Sequence, residues 1–321
     1  MILKTVRRSV LGKLKPAFDM SLPDFASKKP IPIRHIAIGF KGKEIDTSFY
    51  QNNEFATIFF ATLSVFLTYG EDLVIETARH HRSMITDPIL RQRVTALIGQ
   101  EALHSKLHNE YNDALKDVNY PVSLYRFLGE TFFNNIFLKF PQPLKLSMMA
   151  GIEHFTAVLA EYVMKREEVF YYTDDEKTRA LWMWHMLEES EHKDIAYDVY
   201  QVLSGNYALR ISGFLLAFVT IIGLVPFAAV VVPFIRQPKA MLTTVKFWKD
   251  AKRGVSLIFG PTQGVFGSTM GQIFDYMRPD FHPNDHDTTE YLEYYKKTLF
   301  AEGGALAPFF VKEFTPAVRA A

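Results

Sequence analysis

Residues 184–193 read WHMLEESEHK and residues 99–108 read GQEALHSKLH. Each stretch holds a Glu-x-x-His spacing: Glu189 with His192, and Glu101 with His104. Successive helix residues turn by about 100°, so such a pair lies about 60° apart on one face, one turn from each other. It therefore offers a carboxylate oxygen and an imidazole nitrogen to one metal ion. His185, four residues before Glu189, shares the arc, while Glu191 points nearly opposite, toward solvent or a neighbour. Glu188 could also approach His192, but the parallel with Glu101 and His104 favours Glu189.

These faces are apolar. Val94, Leu97, Leu107 and Tyr111 surround Glu101; Leu181, Ala196 and Val199 surround Glu189. An ionised carboxylate on a core face is costly unless it is paired or binds a cation. The helix before each motif supplies one more acid: Glu71 among Leu63, Leu67, Val74 and Ile75, and Glu153 among Leu146, Met149, Ala150 and Ala157. The order Glu, Glu-x-x-His, Glu, Glu-x-x-His in two helical hairpins matches a ferritin-like di-metal carboxylate arrangement with all six side chains facing inward. The chain has no cysteine, so His, Asp and Glu must hold the metals. Such ligands suit iron first, with manganese and zinc as alternatives. Glu76 competes with Glu71, Glu161 could stand behind Glu153, and His108 could support the ligands as a hydrogen-bond donor. His154 is expected to bond a neighbouring helix, and Tyr111, Tyr162 and Tyr197 to pack near the site. Arg79, His80, His81 and Arg82 read as a solvated helix end, and His282 and His286 as surface or packing histidines.

The elements that must position these residues follow from pattern and punctuation. Residues 1–50 read as an extended lead-in and 51–205 as the four-helix bundle. A hydrophobic helical segment at 206–240 and C-terminal helices and loops at 241–321 complete an all-α chain. Bundle helices are expected over 53–84, from Pro88 to about Lys116, over 142–169, and from a Thr173–Asp174–Asp175 cap to about Leu203. A shorter helix fits within 122–138. Residues 211–235 carry no formal charge, contain Pro226 and Pro233, and are flanked by Arg210, Arg236 and Lys239. That symmetry orients no single membrane span. It fits a bent segment dipping into one leaflet, or a helix pair buried against the bundle or a second copy. An amphipathic helix with Lys246, Lys249, Lys252 and Arg253 is expected over 239–258. The glycine-rich run after it lacks the Gly-Lys-Ser/Thr of a phosphate loop.

The 321 residues are 48% hydrophobic with a net charge of +1, which gives no field for nucleic acid and favours a homodimer. The N-terminal stretch carries Lys4, Arg7, Arg8, Lys13 and Lys15 without the apolar run of a secretory signal. A cytoplasmic location is expected, with contact to the cytoplasmic face of a membrane through basic and apolar segments.

The stretches GEDLVIETARHHR, IGQEALHSKLHNEYN, GIEHFTAVLAE and WHMLEESEHKDIAYDVY resemble the bacterial family labelled predicted metal-dependent hydrolase, of the ferritin-like superfamily, over roughly residues 30–300. The ligand order is also similar to that of ribonucleotide reductase small subunits, acyl desaturases and di-iron oxygenases. The histidine four residues before the last Glu-x-x-His glutamate resembles the p-aminobenzoate N-oxygenase group. That likeness implies the ligands Glu71, Glu101, His104, Glu153, His185, Glu189 and His192, the first-named acids and both motif histidines being catalytic as well. The expected activity is O₂-dependent hydroxylation, desaturation or N-oxygenation of a lipophilic small molecule or acyl chain. No dinucleotide fingerprint is present, so a separate electron donor is expected. The alternative is hydrolysis of an ester or amide at the metal pair, as the family label says.

Overall fold

Four capping side chains start the helices that matter. Asn53 accepts from the Ala56 N–H, Asp87 from Ile89 and Leu90, Asp175 from Thr178, and Asn206 from Leu209. Each satisfies backbone donors that the first helical turn leaves unpaired. Behind them the computed structural model, which describes residues 24–166, 169, 175–236 and 238–318, has α1 (Glu54–Arg82), α2 (Pro88–Asp117), α3 (Val122–Gly129), α4 (Gln142–Met164) and α5 (Glu176–His192). The chain continues through α6 (Ile195–Leu203), α7 (Tyr207–Val219), α8 (Val225–Arg236), α9 (Pro238–Thr243), α10 (Val245–Phe259), α11 (Met270–Asp275) and α12 (Thr289–Leu299). The basic N-terminal stretch, Thr173 and Asp174 lie outside the described residues.

Helices α1 and α2 form one antiparallel hairpin and α4 with α5 the other; the hairpins meet through α1 on α4 and α2 on α5. The expected fourth helix is divided. A turn at Lys193 and Asp194 separates α5 from α6, pinned where the buried Asp194 carboxylate meets Arg93 at 2.9 Å and Lys28 at 2.5 Å. Helix α4 stops at Met164, short of 169, and the 122–138 stretch passes from α3 into a π-turn at Glu130–Asn134.

The lead-in is not merely extended chain. β1 (Ile33–Ile36) pairs antiparallel with β2 (Phe310–Phe314), with Ile33 opposite Phe314 and Arg34 opposite Glu313. Ile33 and Ile36 are buried, and Ile33 occupies the space that a side chain at Gly99 of α2 would need. Arg34, on the strand face opposite Ile33, is buried as well and reaches Glu188 and Glu191 of α5.

Helices α7 and α8 run on from each other through a π-turn at Thr220–Leu224. The ladder widens just ahead of Pro226, which has no N–H to give. α7 lies backbone-close on α4: a Cβ at Gly213 would fall 2.1 Å from Ser147 Oγ, and one at Gly151 3.0 Å from the Phe214 Cα. Ser147 Oγ closes the contact by donating to the Leu209 carbonyl at 2.6 Å. Among the described residues two helical stretches are long and apolar enough to cross a bilayer, α1 and Tyr207–Val230, but α1 is 89% buried over its apolar window and the other 28%. α1 is thus a core helix, whereas the second leaves most of its apolar surface outside.

Candidate metal centre

Glu71 comes from α1, Glu101 and His104 from α2, Glu153 from α4, and His185, Glu189 and His192 from α5; all seven are buried at the centre of the bundle. One ligand atom from each of Glu101, His104, Glu189 and His192 lies within 4.8 Å of the others, and the same holds for Glu71, His108 and His185. The two groups touch, since His185 Nε2 is 2.9 Å from Glu189 Oε1 and its Nδ1 is 3.9 Å from Glu71 Oε1. Glu153 belongs to neither group and meets His192 Nδ1 at 2.8 Å, while His192 Nε2 lies 3.0 Å from Glu101 Oε1. The sequence-derived set is therefore brought together in one cage, with His108 added to it.

Buried polar atoms almost always have partners. Among the buried side-chain atoms without an aligned hydrogen bond are six of the cage, Glu71 Oε1 and Oε2, Glu101 Oε1, His104 Nδ1, Glu189 Oε2 and His192 Nε2; the 3.0 Å between His192 Nε2 and Glu101 Oε1 is a close contact out of line for one. Carboxylate oxygens and imidazole nitrogens left unbonded in a dry interior are the donor set that one or more divalent cations need. The residues present fit a metal pair.

Their mutual charges are strained. Burial pushes the Glu71 carboxyl well above its ordinary value, and the Glu101 charge adds to it. Burial also raises Glu153, to about 8, against the pull of His192. Burial opposes charge on His104, yet Glu101 and Glu188 beside it hold its pKa up at about 10. His192 is raised in the same way, burial being outweighed by Glu153 and Glu189. Glu101 is held low, burial being overcome by His104 and His192. His185 and His108 are lowered by burial, then by His104 and by His185 respectively. Protons thus stand on Glu71, Glu153, His104 and His192, whose lone pairs a metal would take, whereas Glu101 and Glu189 are held in the charged form by the imidazoles beside them.

A second layer of side chains aims the first. Glu188 accepts from His104 Nε2 at 3.1 Å, and Arg34 reaches Glu188 at 3.2 Å and Glu191 at 2.7 and 2.8 Å through two nitrogens. With Nε2 engaged, His104 turns Nδ1 into the cage, the carboxylate–histidine–metal arrangement that orients ligands. Glu191 is no solvated acid: Gln100 and Lys296 also contact it.

His185 is held by uncharged groups. Asn112 Nδ2 donates to the Ser64 carbonyl at 3.2 Å, which fixes its amide, and Ser64 Oγ donates to Asn112 Oδ1 at 2.8 Å. The single hydroxyl proton is then used, so His108 Nδ1 must donate to Ser64 Oγ across 2.7 Å. A neutral His108 leaves Nε2 as acceptor for His185 Nδ1–H, also at 2.7 Å. His185 Nε2 is left with its lone pair beside Glu189 Oε1, two acceptors that a shared cation reconciles.

Other candidates fall elsewhere. Glu76 pairs with Lys145 and Glu161 with Lys165 and Gln272, so neither joins the cage. His154 bonds the Gln272 and Ile273 carbonyls, as expected of a residue tying down a neighbour. His282 and His286 pair with Asp198 and Asp275, Tyr162 with the Gln263 carbonyl and Tyr197 with that of Phe281. His81 is buried and bonds the Thr77 carbonyl, unlike the exposed His80 and Arg82 of the same helix end. Sequence reasoning missed Arg34, Ser64 and Asn112. Only Asn112 carried a signal, an amide on the ligand face of α2 one turn beyond His108.

A narrow apolar cavity of about 50 Å³ lies between α1, α4 and the α7–α8 stretch. Its lining includes Leu67 and Gly70, four and one residues before Glu71, and Ile152 and Thr156, one before and three after Glu153, but none of the seven cage residues; Ala217, Ile221 and Leu224 line it from α7–α8. Comparison with curated proteins and with solved structures returns no match. Residues 32–287 match a family described as predicted metal-dependent hydrolase. That match spans most of the chain, including every member of the cage, and the protein belongs to the predicted metal-dependent hydrolase family.

Proposed function

We propose that the protein is a di-metal oxidoreductase that uses O₂ to hydroxylate, desaturate or N-oxygenate a lipophilic small molecule or acyl chain. The observation carrying this reading is an apolar cavity lined by the helix neighbours of Glu71 and Glu153, Leu67 and Gly70 on α1 and Ile152 and Thr156 on α4. A substrate lying there would present C–H bonds and little else to the side of the bundle that carries those two acids. The walls near the acids are Leu67, Ile152 and Phe155, with no donor array for the charge that ester or amide cleavage develops. Thr156 is the nearest hydroxyl, and it is committed to the Glu153 carbonyl at 3.2 Å.

The proposed ligands are Glu71, Glu101, His104, Glu153, His185, Glu189 and His192. An iron pair held by them supplies the redox chemistry with O₂. The chain's own residues do the rest: Glu188 with Arg34, and His108 with Ser64, hold imidazole orientation, while the apolar walls exclude water and position the chain to be oxidised. Reducing equivalents come from a separate donor.

Hydrolysis at the metal pair is the second reading, and the family's description favours it. Catalytic zinc sites commonly use three protein ligands and keep a position open; seven ligands for two ions leave little room. Elemental analysis of protein purified without added metal, with absorption spectra before and after reduction and exposure to O₂, separates the readings. Iron and an oxygen-dependent absorption change support oxidation. Zinc, no redox response and metal-dependent ester cleavage would establish the hydrolase instead.

A further inference from the structure

The cavity's outer wall also carries large apolar side chains exposed on its far side. Ala217, Ile221 and Leu224 of the α7–α8 stretch face inward, whereas Val219, Phe227 and Val230 of the same stretch are 66%, 65% and 62% exposed. The patch extends to both sides. Tyr125 OH of α3 donates to the Ala228 carbonyl at 3.2 Å, which holds α3 against α8, and Phe127, on the other side of α3, is 67% exposed. On the other flank Pro226 and Val230 share a groove with Val255 and Phe259 of α10. Apolar patches of this breadth mark interaction surfaces.

α10 indicates the occupant. At about 100° per residue, its exposed Val245, Trp248, Val255 and Phe259 fall in one arc of about 80°, toward α8. Lys246, Lys249 and Arg253 fall in the arc beyond it, and its buried face, Phe247, Gly254 and Ile258, seats it on the bundle. An apolar stripe with a tryptophan, bordered by cations, is the pattern of a helix lying in a membrane interface. Lysine is depleted from protein–protein interface cores, yet Lys252 lies inside the apolar arc, where a snorkelling side chain reaches lipid headgroups.

We infer that the α3–α8–α10 face docks on an anionic bilayer without spanning it, and that the cavity beneath α7 and α8 receives an acyl chain from that bilayer. The identity of the occupant as substrate rests on the oxidation reading above; the docking does not. Helix α7 through α8 is then a partition with lipid on one side and the cage on the other. The π-turn at Thr220–Leu224, where the ladder is already widened, is the place for a chain to pass.

Flotation of the full-length protein with vesicles tests this without turnover. Vesicles of phosphatidylcholine containing phosphatidylglycerol should carry the protein up the gradient, and pure phosphatidylcholine should carry far less. Phe227→Asp with Val230→Asp should weaken binding by at least about tenfold, and Lys246→Gln with Lys249→Gln and Lys252→Gln by up to about a hundredfold. All five side chains are exposed, so metal content and Tm should stay those of the parent. Binding that ignores both sets of substitutions would overturn the assignment, since the basic N-terminus would then account for it. So would a concentration-dependent dimer that floats with neither vesicle and is dissociated by Val230→Asp, which would make the face a contact between copies. Docking without any redox response would leave the surface in place and remove the oxidation reading.

Discussion

The two Glu-x-x-His motifs are alike in spacing and unlike in support. On α2, His104 is backed by a charged chain, Glu188 to Arg34 to Glu191, whose arginine arrives on a strand from outside the bundle. On α5, His192 is backed by Glu153, itself a proposed ligand, while the extra imidazole of His185 is backed by the uncharged run His108, Ser64, Asn112. The repeat therefore extends to the ligands and stops there. His104 is thus supported through buried ion pairs and His185 through hydrogen bonds between uncharged groups, so the two supports should fail differently.

Removing a proposed ligand from either half of the cage should have the largest effect, because under the proposed function both halves serve one cation set. His192→Ala or Glu101→Ala should lower metal content by more than the ~10–100-fold that follows loss of a supporting residue. Elemental analysis after gel filtration reads this directly, and full metal retention by either variant would break the assignment of the cage. Arg34→Leu should come next. It leaves the buried Glu188 with His104 alone and the buried Glu191 with Gln100 and Lys296, and breaking such a pair costs up to about 3–5 kcal/mol. Chemical unfolding of the metal-free protein should show that loss; a change below about 0.5 kcal/mol, typical of surface sites, would mean the charged chain supports nothing. His108→Ala should leave folding closer to the parent and act on the metal instead, lowering affinity by about 10–100-fold through a disordered His185. If His108→Gln, which can still accept from His185 Nδ1–H, restores the affinity, His108 acts by positioning. If it does not, His108 is itself a ligand in the group with Glu71 and His185.

How far the sequence could be read follows the same division. Glu71, Glu101, His104, Glu153, His185, Glu189 and His192 were legible because a helix converts spacing into a shared face, and an acid among leucines demands a partner. Asp87, and Asp175 within the Thr173–Asp174–Asp175 run, were legible as helix starts for a related reason, since capping is local chemistry. Arg34 was not, because its partners lie on α5 across a strand pairing whose other member is β2 at the far end of the chain. The lead-in pattern of prolines and glycines hid a four-residue strand. The turn at Lys193–Asp194 was hidden likewise: the helical pattern runs through it, and what stops it is a carboxylate held by Arg93 and Lys28, distant in sequence. The α7–α8 stretch was legible as apolar but not as one-sided, since composition does not tell a wall from a core.

The smallest expected effect concerns protons. His104 is held up at about 10 and Glu153 at about 8, so both carry a proton at neutral pH in the metal-free chain. Metal binding needs their lone pairs and must displace those protons. The sign follows: groups with raised pKa values retain the proton below those values, so apparent metal affinity should rise with pH, flattening first as Glu153 loses its proton near 8. Each displaced proton contributes about a tenfold change in affinity per pH unit. Calorimetric titration with a divalent metal, in two buffers of different ionisation heat at one pH, counts the protons released. The comparison sharpens here as well, because His108 and His185 are lowered and should contribute none. Arg34→Leu removes neutralising charge beside Glu188, so His104 should hold its proton more tightly and that variant should release at least as many protons as the parent. Proton uptake on metal binding, in parent or variant, would mean that the cage is charged in a different pattern from the one its neighbours impose.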